Sequence, residues 1–465
     1  MSRIVIIGGG PAGYEAALVA AQLGVEVTVV EDEGLGGACV LYDCVPSKTF
    51  IVSSEAATAF RRGDHLGVMA CEPDEVRVNA GAVHGRVRGL ALAQSADVRG
   101  KLCAVGVEVV LGSAALTART GLRHTVLVTP HGGQPYPIEA DTVLLATGAT
   151  PRVIPGAEPD GERVLTWRQV YDLPELPTHL IVVGSGVTGA EFASAYLAMG
   201  VDVTLVSSRD RVMPHEDSDA AALLERVFTR RGMTILPNAR AETVRRKGDG
   251  VVVELTDGRT AEGSHALMTI GSVPNTAGLG LDLAGVACGR GGFVTTDRVS
   301  RTNVPGVYAA GDVTGVLMLA SVAAMQGRIA MWHALGEAVQ PLRLRTVSAN
   351  VFTDPEIATV GFGQTTVDAG GVSARTVTLP LATNARAKMQ GIEDGFVKLY
   401  CRPASGLVIG GVVVAPRASE LILPIALAVE NHLTVDQIAH TISIYPSLSG
   451  SLTEAARQLM QREFE

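Results

Sequence analysis

The sequence predicts an α/β fold, with two parallel-sheet units of the same kind followed by a C-terminal α+β region. Three observations lead there. A β-rich run, a glycine-punctuated turn, an alanine-rich helical stretch and a second β-rich run follow one another from Ile4 to Val30, and the succession returns from Leu180 to Val206. The chain has 465 residues, enough for about three domains at roughly 100–200 residues each. Hydrophobic residues make up 47% and charged residues 18%, which supplies several cores and excludes a mainly disordered chain. The 53 glycines, without a collagen period, point to many tight turns and close backbone approaches.

The 38 Lys and Arg against 47 Asp and Glu leave a net charge of −9, and no basic run exceeds Arg245-Arg246-Lys247. No nucleic-acid partner is expected from that balance. No apolar run approaches the roughly 18 residues a membrane span needs, so none is expected. The apolar stretch at the N-terminus is interrupted by Gly8-Gly9-Gly10 and Glu15, which argues against a secretory signal. The six cysteines, at 39, 44, 71, 103, 288 and 401, are too few and too irregular for a secreted disulfide scaffold. A cytoplasmic protein is expected, and no metal site.

In the first unit, Ile4 to Ile7 is the strand, Gly8-Gly9-Gly10-Pro11-Ala12-Gly13 the turn, and the alanine-rich stretch to Leu23 the helix, which Gly24 stops. The next strand, Val27 to Val30, ends in Glu31. This is a Gly-x-Gly-x-x-Gly fingerprint at Gly8, Gly10 and Gly13 in its strand–turn–helix–strand setting. The glycines, with Pro11 and Ala12 between them, let a pyrophosphate approach the helix N-terminus, where free N–H groups and the dipole favour anions. Glu31, 18 residues past Gly13, is placed to accept hydrogen bonds from a ribose.

In the second unit the strand is Leu180 to Val183, the glycines are Gly184, Gly186 and Gly189, the helix is Glu191 to Met199, and the next strand is Val203 to Val206. Eighteen residues past Gly189 stands Ser207, followed by Ser208 and Arg209. A carboxylate suits a free 2′-hydroxyl, whereas hydroxyls and a guanidinium suit a 2′-phosphate. FAD is therefore expected in the first unit and NADPH, with NADH second, in the other. The alternative for Arg209 is a solvated surface charge. Two dinucleotide sites in one chain imply electron traffic between a nicotinamide and a flavin, and hence an enzyme.

After Glu31 comes Gly36-Gly37-Ala38-Cys39-Val40-Leu41-Tyr42-Asp43-Cys44-Val45-Pro46-Ser47-Lys48. Residues five apart in a regular helix lie about 8–9 Å apart, beyond the roughly 7 Å between Cα atoms that a disulfide spans. A Cys39–Cys44 bond therefore needs a distorted helix start, for which Gly36-Gly37 and Pro46 supply the punctuation. Lys48, one turn past Cys44, would favour a thiolate there. Taken alone, two cysteines at this spacing are more often unrelated thiols.

With these residues the chain resembles the pyridine-nucleotide disulfide oxidoreductases, the family of lipoamide dehydrogenase, glutathione reductase and mercuric reductase, over essentially its whole length. The resemblance implies that Cys39 and Cys44 form a redox-active pair and that Gly37, Ala38 and Lys48 border the flavin. Ala146-Thr147-Gly148 resembles the loop where the chain leaves the FAD domain. Gly311-Asp312, after Val307 to Ala310, resembles the second FAD motif, whose aspartate holds the ribityl chain. Leu319-Ala320 match the residues at the flavin's pyrimidine edge, and Glu191 matches the glutamate that pairs with the lysine beside the flavin, here Lys48. Residues 346 to 465, with Phe352-Thr353-Asp354-Pro355-Glu356 and Gly410-Gly411, are similar to the dimerisation domain, which implies a homodimer. The domains expected are 1–151 for FAD, 152–271 for NAD(P), 272–345 for the second part of the FAD-binding region and 346–465 for dimerisation.

One segment departs from the family. Disulfide-reducing members carry a His-Pro-x-x-x-Glu segment, where this chain reads Tyr445-Pro446-Ser447-Leu448-Ser449-Gly450. An imidazole with pKa about 6.5 can protonate a leaving thiolate and deprotonate an attacking thiol near pH 7, and a phenol near 10 does neither well. Such acid–base help is worth roughly 10²–10⁴-fold. His440 and His432 are expected to be ordinary surface or interface residues. Efficient lipoamide or glutathione chemistry is not expected, while hydride transfer from nicotinamide to flavin needs none of the missing groups. The expectation is an FAD-dependent NAD(P)H quinone reductase, with Tyr445 either donating a hydrogen bond to the quinone or filling space. Mercury reduction is not expected, because no cysteine follows Cys401. The alternatives are a disulfide reductase using Cys39 and Cys44 with another acid–base group, and a weakly catalytic redox-sensing FAD protein.

Overall fold

The computed structural model describes residues 2–68, 76–119, 121 and 123–460; Cys71 and the segment 461–465 lie outside the described residues. The chain divides into two compact units, one of residues 1–49, 84–152 and 271–343, the other of residues 50–83, 153–270 and 344–465.

In the first unit the β-branched runs pair side by side. The sheet has seven strands in the order Val307–Ala309, Thr142–Leu145, Arg3–Ile7, Glu26–Glu31, Glu108–Leu116, His124–Pro130, Tyr136–Ala140. The first five are parallel and the last two return antiparallel. Arg3–Ile7 is buried from Ile4 onward, the near-continuous apolar run of a strand covered on both faces. It lies between Glu26–Glu31 and Thr142–Leu145, so the strand order reverses at its C-terminal end, the place where open parallel sheets hold ligands. One face packs Ile4, Ile6, Val27 and Val29 against Ala16, Ala17 and Ala20 of the helix Pro11–Gln22 and Ala330 and Met331 of the helix Ala320–Ala334. These two helices approach closely because Gly327 has no side chain; a Cβ there would lie 2.1 Å from the Ala12 carbonyl oxygen.

The second unit holds a five-stranded parallel sheet in the order Thr234–Leu236, Asp202–Val206, His179–Val183, His265–Met268, Val164–Leu165, with a three-stranded antiparallel sheet of Ala241–Lys247, Gly250–Leu255 and Thr260–Gly263. Its helix Val187–Ala198 begins directly after Gly186, earlier than the expected start at Glu191. Residues 344–460 form an antiparallel sheet in the order Ser348–Val351, Glu356–Gly361, Val408–Ala415, Phe396–Cys401, Arg375–Pro380. The helices Leu423–Glu430 and Gly450–Met460 cover it, burying Ile425, Ala428, Leu452, Ala456 and Leu459 against Val397, Leu399 and Val413.

A buried ion pair ties this antiparallel sheet to the second parallel-sheet region. Lys398, 1% exposed, donates from Nζ to both carboxylate oxygens of Asp217 at 2.9 and 2.8 Å and to Asp219 at 2.6 Å. Asp217 is also the N-cap of the helix Ser218–Arg230, its Oδ1 accepting the Asp219 and Ala220 N–H groups, and the Tyr400 hydroxyl donates to its Oδ2. Among the described residues no helix is long and apolar enough to cross a membrane.

Candidate functional site

The first glycine turn is shaped by contacts that no side chain could enter. Gly8 sits at φ +105°, and a Cβ there would lie 2.3 Å from the Ala146 carbonyl oxygen; one on Gly13 would lie 1.9 Å from the Gly8 oxygen. Gly10 differs, since its nearest neighbour in the Cβ direction is the Gly37 Cα at 4.0 Å. Two glycines close the strand onto the helix and the third keeps the backbone accessible. Pro11 takes the first helical position, where its missing N–H costs nothing, and Ala12 packs against Gly311 and Gly327.

Glu31 ends its strand buried, its carboxylate accepting the N–H groups of Gly9 at 2.5 Å, Glu33 at 2.9 Å and Gly34 at 3.3 Å. A carboxylate thus stands at the edge of the turn, where the sequence places the ribose acceptor. Thr147 and Asn275 bind each other twice, Thr147 Oγ1 donating to the Asn275 oxygen at 2.7 Å and Asn275 Nδ2 to the Thr147 oxygen at 2.8 Å, with Gly148 at φ +70° beside them. Gly311, at φ +80°, donates its N–H to Gln326 Oε1. The Asp312 carboxyl that follows is pushed up to about 6, first by burial and then by the nearby Asp43 charge. Leu319 and Ala320 stand at the start of the helix Ala320–Ala334.

Cys39 and Cys44 come together by the break that the spacing argument demands. A short helix, Gly37–Leu41, ends at Tyr42, whose φ of −135° is not helical, and a new helix, Cys44–Arg61, starts two residues later. The N–H groups of Tyr42 and Asp43 both fold back on the Ala38 oxygen, at 2.9 and 2.7 Å. Gly37 reaches φ +57° with its Cα face against Gly10, where a Cβ would lie 2.9 Å from the Gly10 Cα. Pro46 falls within the first turn of the new helix, where its ring is tolerated. Cys39 and Cys44 are both free cysteines, and a side-chain hydrogen bond joins them.

The electrostatics at Cys44 have several sources. Lys48 sits one turn along from Cys44 and does favour its thiolate, but it is the weakest influence there. The hydrogen bond to Cys39, burial and the Asp43 carboxylate act first and hold the Cys44 thiol well above its usual range. Asp43, and Tyr14, whose phenol is raised by burial, Glu15 and Cys39, were not singled out from sequence. Asp43's place directly before a cysteine at a helix start is the signal that could have found it.

In the second unit Gly184, at φ +113°, and Gly189 are again indispensable, with Cβ positions 2.4 Å from the Thr269 oxygen and 1.9 Å from the Gly184 oxygen, while Gly186 faces open space. Here the expectation for Ser207 is corrected. Its side chain is fully buried, bonded to Ser185 Oγ at 2.7 Å, donating to the Arg209 and Arg211 carbonyls at 3.1 Å and accepting the Arg209 N–H at 3.2 Å. That hydroxyl shapes the turn and does not reach outward; the polar side chains exposed after it are those of Ser208, Arg209 and Asp210. Glu191 is buried and accepts the Phe352 N–H at 2.9 Å, while Ser194 Oγ accepts that of Asp354 at 3.1 Å.

Tyr445 is 85% exposed in the single chain, beside Ile442 and Ile444, at 99% and 80%. Its loop is held by Ser447 Oγ, which donates to the Ile444 oxygen and accepts the Gly450 N–H, and by Asn384 Nδ2 on the Ser447 oxygen. His440 is exposed and spends its Nδ1–H on the Asp436 carbonyl of its own helix end. Among the described residues no cluster of His, Cys, Asp and Glu could hold a metal ion.

Comparison with known proteins identifies this arrangement. The pyridine nucleotide-disulphide oxidoreductase family matches residues 2–327, and the dimerisation domain of the same family matches residues 347–456. The chain belongs to the pyridine nucleotide-disulphide oxidoreductases. It is 61% identical over 468 residues, 100% of this chain and 95% of the relative, to an NAD(P)H dehydrogenase (quinone) of Mycobacterium tuberculosis. It is 35% identical over 98% of its length, and 97% of the relative's, to a dihydrolipoyl dehydrogenase of Chlorobaculum tepidum. Among solved structures, LpdA of Mycobacterium tuberculosis superposes with a TM-score of 0.95 at 60% identity, covering 99% of this chain and 100% of the other. The HOCl-induced flavoprotein disulfide reductase RclA of Escherichia coli superposes at 0.85 with 25% identity, covering 98% and 99%.

This oxidoreductase family uses FAD and NAD(P)H. The first unit fits a flavin dinucleotide. Gly10 leaves room for a pyrophosphate at the start of Pro11–Gln22, Glu31 offers a carboxylate at ribose distance along the sequence, and the desolvated Asp312 carboxyl gains from a hydroxyl partner.

Proposed function

We propose that this chain is an FAD-dependent NAD(P)H quinone reductase, acting as a cytoplasmic homodimer and preferring NADPH. The observation that carries the reading is the 445–450 loop, which presents a phenol where sulfur chemistry needs an imidazole. The full-length relative named NAD(P)H dehydrogenase (quinone) supports it. Bound FAD supplies the centre that accepts a hydride and passes electrons on. The chain's residues bind and orient. Gly8, Gly10, Gly13 and Glu31 seat the adenosine diphosphate part in the first unit, and Asp312 takes a hydroxyl of the flavin's side chain. Gly184, Gly186 and Gly189 receive the nicotinamide dinucleotide, whose 2′-phosphate lies at Ser208 and Arg209. Lys48 supplies a cation beside the flavin, Glu191 braces the chain at Phe352, and Tyr445 offers an O–H to a quinone oxygen.

Steady-state assays with NADPH test this. Turnover with a soluble quinone should exceed turnover with lipoamide or oxidised glutathione, and efficient lipoamide turnover would refute the reading. The contact between the Cys39 and Cys44 thiols favours a second reading, a disulfide reductase with another acid–base group. Changing both cysteines to serine would abolish that activity and leave quinone reduction largely intact.

A further inference from the structure

The loop that carries Ser208 and Arg209, residues 207–217, joins the strand Asp202–Val206 to the helix Ser218–Arg230. It is held at three points. Ser207 is locked at the strand end by Ser185 and the Arg209 and Arg211 carbonyls. Met213 is buried and donates its N–H to the Ser185 oxygen at 2.9 Å, which ties the middle of the loop to the glycine turn. Its φ of +51° is left-handed, a conformation that a residue other than glycine keeps only where its surroundings impose it. Asp217 closes the loop as the cap of the helix.

That third point is gripped from the dimerisation domain. Lys398 and Tyr400 stand two residues apart in the strand Phe396–Cys401, hence on one face, and both donate to the Asp217 carboxylate. Lys398 Nζ directs its three donors to Asp217 Oδ1, Asp217 Oδ2 and Asp219 Oδ2. The Lys398 and Asp217 side chains are 1% and 2% exposed, and a pair so buried gains little over apolar residues of the same size. It does fix one arrangement of helix start and sheet, because any other leaves a buried charge unmatched. The far end of the helix is held separately, Arg230 by Asp394 and Arg231 by Asp354. That end lies about 20 Å from the loop, the length of 13 helical residues.

We propose that Lys398 is a positioning residue for the nicotinamide coenzyme: acting through Asp217, it holds the loop 207–217 where Ser208 and Arg209 meet the 2′-phosphate. A strand of the dimerisation domain thereby sets coenzyme discrimination. The inference rests on the reading that puts the 2′-phosphate at those two residues. Release of Asp217 frees the second half of the loop, Met213 relaxes from its left-handed conformation, and the segment between Ser207 and Met213 moves with it.

The test is the affinity of the holoenzyme for adenosine 2′,5′-bisphosphate by titration calorimetry, with KM and kcat for NADPH and NADH on the same preparations. The variant is Lys398→Met combined with Asp217→Asn, which strands no charge and keeps a capping side chain. It should bind adenosine 2′,5′-bisphosphate about tenfold more weakly, the worth of one charge-assisted hydrogen bond. KM for NADPH should rise in proportion, with KM for NADH and both kcat values within about twofold of the parent. Asp217→Asn alone, in which Lys398 still pairs with Asp219, should shift the same way, and it decides if flavin content shows that the double variant has not folded. Arg230→Gln, at the far end of the helix, should leave the affinity in place. Unchanged affinity in the Asp217 variants overturns the proposal, as do equal losses for NADPH and NADH or an equal shift in Arg230→Gln, which would mark a purely structural role. Arg209→Gln judges the underlying reading. If it binds adenosine 2′,5′-bisphosphate as the parent does, the 2′-phosphate site leaves this loop and the inference falls with it; if it binds weakly while the Asp217 variants do not, the inference fails alone.

Discussion

Two glycines of one turn should respond to the same substitution in opposite ways. A Cβ on Gly189 would stand 1.9 Å from the Gly184 carbonyl oxygen and 2.7 Å from Thr269 Oγ1, against the 3.0 Å below which real Cβ atoms are essentially never found. Backbone would have to move by about 1.1 Å where helix Val187–Ala198 meets strand His179–Val183. Overpacking against yielding side chains costs about 1–3 kcal/mol; against a carbonyl in a parallel sheet the cost of Gly189→Ala should be about 3 kcal/mol or more. Gly186 has no atom within 4 Å of a Cβ and sits at φ −75°, which alanine adopts freely. Gly186→Ala should therefore change stability by less than about 0.5 kcal/mol, while its methyl meets the incoming pyrophosphate and raises the KM for NADPH about tenfold or more, about 1.4 kcal/mol. Thermal unfolding followed by circular dichroism, with flavin content and KM on the same preparations, reads all of this. A Gly189→Ala enzyme as stable as the parent would refute the packing argument, and an unchanged KM in Gly186→Ala would refute the assignment of the open side to the coenzyme.

Three further outcomes follow from single side chains. Arg209→Gln should reduce kcat/KM for NADPH about tenfold or more, the worth of one charge-assisted hydrogen bond, and leave NADH nearly unaffected; equal losses would make Arg209 an ordinary surface charge. Lys398→Met should destabilise by about 3–5 kcal/mol in thermal unfolding, because it strands the buried Asp217 carboxylate, and Lys398→Met combined with Asp217→Asn should recover much of that. Asp312, pushed up to about 6, favours folding of the flavin-free protein most below pH 4 and loses that contribution as pH rises through 6. Asp312→Asn should thus stabilise the flavin-free protein at pH 8 by about 1–2 kcal/mol and have little effect at pH 4, while weakening flavin binding; identical pH profiles would contradict it.

Much of the first unit is legible because its signals are local. The strand, turn and helix from Arg3 to Gln22 lie within a residue or two of the expected bounds, since a buried parallel strand must be β-branched and the turn must lack side chains. The helix break between the cysteines is expected once the resemblance pairs them, as five residues of unbroken helix would hold the sulfurs apart. Ser207 misleads because its position relative to the fingerprint is periodic and its orientation is not. A residue just past a strand end points in or out according to the turn it enters, and here Ser185 and the Arg209 and Arg211 carbonyls draw the hydroxyl inward. Lys398 and Asp217 are 181 residues apart in sequence, and nothing local announces a lysine in a strand as fully buried.

What the sequence by itself determined is the chemistry on offer: two glycine turns that exclude side chains, a carboxylate after one and a guanidinium after the other, two cysteines, and a tyrosine on the 445–450 loop. Those are properties of residue identity and short spacing, which survive any tertiary arrangement. Only the tertiary structure decided the electrostatic state of those groups. Whether Cys44 is a thiol or a thiolate, and whether Asp312 is charged, depends on solvent exclusion and on distances to Asp43, Lys48 and Cys39, because the energy of a charge is set by the dielectric and the charges around it and not by its place along the chain.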